Sequence, residues 1–90
     1  MKFEELAEIV AKDFFETMKA EGFRTFAEMK RCYYWTTEDI LDEVDFIIRQ
    51  TGEDAYIDEL DGSLVFLGGQ DMEYRKFSGM WRSALAKMAA

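Results

Sequence analysis

Residues 36–67 read TTEDILDEVDFIIRQTGEDAYIDELDGSLVFL, and the pattern changes period partway along. Over the first half, Ile40, Leu41, Val44, Ile47 and Ile48 recur at three- and four-residue steps, the signature of a helix with one apolar face. Thr36 is suited to cap it, Trp35 with Ile40 forms a hydrophobic staple, and Thr51-Gly52 ends it. The β-branched side chains lower helix propensity slightly, but the 3.6-residue period outweighs that. The opposite face holds Glu38, Asp39, Asp42, Asp45 and Arg49, with Phe46 among them. From residue 55 onward two short strand-like runs, Ala55–Leu60 and Ser63–Leu67, flank Asp61-Gly62. Asp-Gly supplies positive φ cheaply, so the reading is a tight hairpin. A two-residue loop pairs Leu60 with Ser63 and a three-residue bulged loop pairs Glu59 with Ser63; both registers stay open.

Upstream, Phe3, Leu6, Val10 and Phe14 repeat at helical spacing, which predicts a helix over Phe3–Glu21 stopped by Gly22. Thr25-Phe26-Ala27-Glu28 is a capping box that opens a second, short helix through about Tyr34. Downstream, Gly68-Gly69 end the second strand. A last helix is expected over about Asp71–Met88, where Tyr74, Phe77, Trp81, Ala84 and Met88 step by three and four. Gly79 within it costs about 1 kcal/mol relative to alanine. The expected architecture is a single α+β domain over residues 1–90: three helices, a hairpin and a closing helix.

The 90 residues include 19 acids and 11 bases, a net charge of −8, with no histidine, no proline and one cysteine. The charge is concentrated. Residues 38–61 carry ten acids against Arg49 alone, a net of −9. Such a surface repels nucleic acid and anionic lipid and attracts basic surfaces. Without histidine there is no imidazole base or histidine metal ligand, and one cysteine excludes an internal disulfide. Glu4, Glu5 and Glu8 interrupt any secretory signal, and no apolar run reaches the roughly 18 residues of a membrane span. The expectation is a soluble, cytoplasmic protein.

Little here suggests catalysis. Cys32 follows Lys30 and Arg31 but has no histidine to act as its base, so it reads as structural. The carboxylate pairs Asp39/Glu43 and Asp54/Asp58 fit acid–base work or a hard cation. Placing Gly62 at the glycine of a calcium loop puts Ile57 at the first ligand position, which rejects an EF-hand. No cofactor, metal or catalytic residue is expected. Tyr33-Tyr34-Trp35 reads as core plus staple, with base stacking beside Lys30 and Arg31 as the other reading. Phe46 either anchors an interface or is covered by a neighbouring element.

Three helices followed by a hairpin resemble the winged-helix arrangement over residues 3–67. That resemblance implies DNA binding through the third helix and the wing. Here those elements carry Glu38, Asp39, Asp42, Glu43, Asp45, Asp58, Glu59 and Asp61, where phosphates require cations. In size and charge pattern the chain is instead similar to the small acidic inhibitors that phages encode, anti-CRISPR and DNA-mimic proteins among them. The resemblance implies a partner that is a basic, nucleic-acid-binding protein, met in a host-cell cytoplasm. Glu38, Asp39, Asp42, Glu43 and Asp45 would then stand in for phosphates, Phe46 would add apolar contact, and Asp58, Glu59 and Asp61 would extend the patch. The alternative is a scaffold or homo-oligomerisation module using Tyr74, Phe77, Trp81 and Met88 of the last helix.

Overall fold

A computed structural model describes residues 1–90 as α1 (Phe3–Glu21), α2 (Phe26–Cys32), α3 (Thr37–Gln50), β1 (Ala55–Ile57), β2 (Leu64–Leu67), β3 (Gln70–Glu73) and α4 (Tyr74–Ala89). The three strands form one antiparallel sheet in the order β1-β2-β3. The α+β architecture of helices, hairpin and closing helix is present, with one strand more than expected. No helix is long and apolar enough to cross a membrane.

Three helix ends follow from local chemistry. Gly22, at φ 78°, closes α1 while Phe23 N donates to Met18 O at 2.8 Å. Thr25 Oγ1 accepts the Glu28 amide at 3.1 Å, but the Glu28 carboxylate reaches back to the Arg24 amide rather than to that of Thr25. At α3 the box is complete: Thr36 Oγ1 accepts from Asp39 N at 3.1 Å and Asp39 Oδ2 accepts from Thr36 N at 2.8 Å.

The hairpin corrects the expected turn. Tight reversal occurs at Gly68-Gly69, whose φ values of 57° and 87° suit the two-residue turn that matches strand twist. It pairs Leu67 with Gln70 and creates β3, so α4 begins at Tyr74 instead of near Asp71. Around Asp61-Gly62 the chain leaves the ladder. Pairing of β1 with β2 runs from Ala55↔Leu67 to Ile57↔Val65, in the register that would set Glu59 opposite Ser63, but it stops short of that pair. The reason lies in two aspartates. Asp58 Oδ1 takes the Leu60 amide and Asp61 Oδ1 takes that of Ser63, local bonds that compete with a strand ladder.

Nineteen apolar residues form one core, with no polar or charged residue buried among them. The paired residues Ala55↔Leu67 and Ile57↔Val65 face inward, while Tyr56 and Phe66 stack at 5.1 Å on the other side of the sheet. Phe77, Trp81 and Leu85 are the buried face of α4, with Tyr74 and Met88 only partly covered. Trp81 packs against Phe14 and Phe26 at 5.0 and 5.2 Å between ring centroids. Phe77 and Trp81 are therefore spent inside the fold, which leaves Tyr74 and Met88 as the partly uncovered members of that set. Two further expectations fail: Cys32 is exposed rather than structural, and Tyr34, at φ 57°, projects into solvent while Trp35 joins the aromatic cluster.

Candidate protein-binding surface

Packing of α3 beside β1 brings together acids that are far apart in sequence. A shallow cleft of about 360 Å³ lies between α3 and the 58–62 loop. Six carboxylates line it: Glu38, Asp42 and Asp45 from the helix, and Asp58, Glu59 and Asp61 from the loop. Asp39, Glu43 and Phe46 stand outside the cleft on the exposed side of α3. Phe46 is 60 % exposed, which settles its position: no neighbouring element covers it.

The acids do not share one role. Asp45 is a fastener. Its Oδ1 accepts the Ile57 amide at 2.8 Å and its Oδ2 accepts Arg49 Nε at 2.8 Å. Because Asp58 N donates to Leu64 O across the β1–β2 pair, the preceding amide, that of Ile57, points off the sheet edge. Asp45 thus satisfies a donor that an edge strand would otherwise leave open. Asp39 completes the α3 cap, and the Thr36 amide and hydroxyl bonds hold its pKa below the ordinary 3.8. Asp61 is lowered likewise by the Ser63 amide and hydroxyl.

Arg49 is the single cation in this stretch and is already engaged. Its hydrogen bond to Asp45 raises its pKa further, with Glu59 at 3.4 Å adding a weaker attraction. Its guanidinium also lies 5.7 Å from the Tyr56 ring. Glu38, Asp42 and Glu43 make no hydrogen bond or ion pair and are exposed. They are the carboxylates free to meet a partner, whereas Asp39, Asp45, Asp58 and Asp61 each hold backbone in place.

Sequence reasoning missed one member of this surface. Leu60 is 97 % exposed and lines the cleft between Glu59 and Asp61. Its apolar character in an acidic turn was the available signal, but the expected strand claimed it for the ladder. Nowhere do three or more cysteine, aspartate or glutamate side chains gather in a metal-holding group. No protein-family model matches the chain, and no curated protein or solved structure matches it either.

Proposed function

We propose that this protein is a non-enzymatic interaction module whose acidic face binds a basic, nucleic-acid-binding protein and blocks the surface that would hold nucleic acid. The observation that carries this reading is the convergence of six carboxylates on one cleft, beside an Arg49 already neutralised by Asp45 and Glu59. Glu38, Asp42 and Asp45 project from a rigid helix rising about 1.5 Å per residue, so they span about 10 Å of axis. Lysine and arginine side chains of the partner enter between them, and Phe46 and Leu60 supply apolar contact. Asp39, Asp45, Asp58 and Asp61 contribute charge from fixed positions, and Glu38, Asp42 and Glu43 adapt to the partner.

The test is capture of partners from a lysate of the native host by the tagged protein and by an Asp42→Lys/Glu43→Lys variant. The wild type should retain nucleic-acid-binding proteins that duplex DNA displaces. Retention should weaken from about 0.1 M to about 1 M salt, as the Debye length falls from about 10 Å to about 3 Å. Charge reversal at a complementary interface should cost about 2 kcal/mol of affinity or more. Equal retention by wild type and variant, at both salt concentrations, would leave the acids as solvated surface and nothing else.

A further inference from the structure

The cations are grouped as well, on a separate surface. A groove of about 490 Å³ runs between α2 and α4, with Met18, Phe26 and Leu85 along its floor and Arg24, Lys30 and Arg82 at its rim. No acidic side chain lines it. None of the three cations is in an ion pair; every salt bridge in the molecule belongs to Arg49. The Arg82 guanidinium lies 5.0 and 4.6 Å from the Phe26 and Trp81 ring centroids, with Nε donating to Ser78 Oγ at 3.1 Å. The groove is therefore an apolar trough with three cations outside any ion pair on its edges, of which Arg82 is held in place, in a chain whose net charge is −8.

We propose that the occupant of this groove is a second copy of the chain, docked head to tail through its acidic face. The two surfaces are inverse patterns. On the acidic face, the exposed Phe46 follows Asp42 and Glu43 by one helical turn, and the exposed Leu60 sits between Glu59 and Asp61. Apolar knobs flanked by carboxylates meet an apolar floor flanked by cations, and buried apolar anchors inside a charged rim are how specific interfaces are built. The cleft and the groove share no residue, so one molecule uses both at once. Such a heterologous contact propagates as a chain or closes as a ring. Single-stranded nucleic acid would satisfy the cations but would also need open aromatic faces on which to stack; the exposed Tyr34 lies outside the groove lining, and within the groove Arg82 lies over the Phe26 ring.

Two molecules of charge −8 repel at long range, while the docking pairs act at contact. Association should therefore strengthen from low salt to about 0.15 M, where the Debye length is about 8 Å, and fade toward about 1 M. Sedimentation equilibrium with two neutralising variants tests the geometry. Lys30→Gln/Ala86→Gln spoils only the groove, and Asp42→Asn/Phe46→Gln spoils only the acidic face. The wild type should exceed its 10.5 kDa monomer mass as concentration rises. Each variant alone should stay at the monomer mass, and an equimolar mixture should reach twice that mass and stop, because each supplies the face the other lacks. A wild type that remains monomeric up to about 1 mM overturns the proposal. So does a mixture that stays monomeric while both variants melt like the wild type, or association that neither variant reduces. Binding of a single-stranded oligonucleotide that is lost in Lys30→Gln/Ala86→Gln, without self-association, assigns the groove to nucleic acid instead. The groove variant keeps the acidic face whole, so partner capture by that variant reads the proposed function independently of self-association.

Discussion

Asp45 shows how one side chain can look like surface charge and act as a structural bond. Its position on the polar side of α3 is evident from the helical period, but its bond to Ile57 spans twelve residues and depends on where β1 docks. No local pattern announces that. Asp45→Ala should cost about 1–3 kcal/mol in urea denaturation, because the Ile57 amide at the sheet edge loses its acceptor. Asp45→Asn should cost less, since its amide oxygen still accepts from Ile57 and only the Arg49 pair is lost. Asp39 was more legible, lying three residues after Thr36 where a cap partner belongs. Its folded-state pKa lies below the ordinary 3.8, so ionised Asp39 contributes stability above that value. That contribution is lost as pH falls through the lowered pKa, because the unfolded state then binds the proton more readily. Melting curves from about pH 5 to about pH 2 should show wild type losing its advantage over Asp39→Asn as the pH drops.

Helices and strands were not equally readable. Helices α1 and α3 coincide with their apolar periods, and capping chemistry marked the end of the first and the start of the second. The third strand did not show itself because Gln70-Asp71-Met72-Glu73 is polar, has one apolar residue and sits on an exposed edge. It exists because of the two glycines before it, which read as a stop but act as a reversal. The 58–63 loop failed in the opposite sense: Asp-Gly is a strong hairpin signal, yet two aspartates one turn apart wound the chain into local bonds first. Gly69→Ala tests the reassignment. With no atom within 4 Å of an added Cβ, the only penalty is the positive φ of 87°, about 1–2 kcal/mol. The loss should appear in the thermal melt, with amide exchange quickening in β3. If Gly68-Gly69 merely ended a strand before a helix starting at Asp71, that local quickening would be absent.

At the scale of the molecule, charge and core are cleanly separated. Every buried side chain is apolar, so the excess of eight negative charges is carried outside a core that does not depend on it. Close packing of like charge on α3 and the 58–61 loop works against the folded state, because unfolding moves those carboxylates apart. Asp42 and Glu43 hold no backbone group, unlike Asp39 and Asp45, so reversing them removes repulsion without removing a bond. The Asp42→Lys/Glu43→Lys variant moves the net charge from −8 to −4. At low ionic strength it should melt above the wild type, each kcal/mol of relieved repulsion raising Tm by about 4–8 °C in a domain this size. Added salt should raise the wild-type Tm and narrow the gap, since screening relieves the same repulsion. Partner affinity should move the other way, falling in the variant and in salt together. A variant that melts below the wild type at low salt would mean that Asp42 or Glu43 supports the fold, and its loss of binding would then no longer isolate charge from structure.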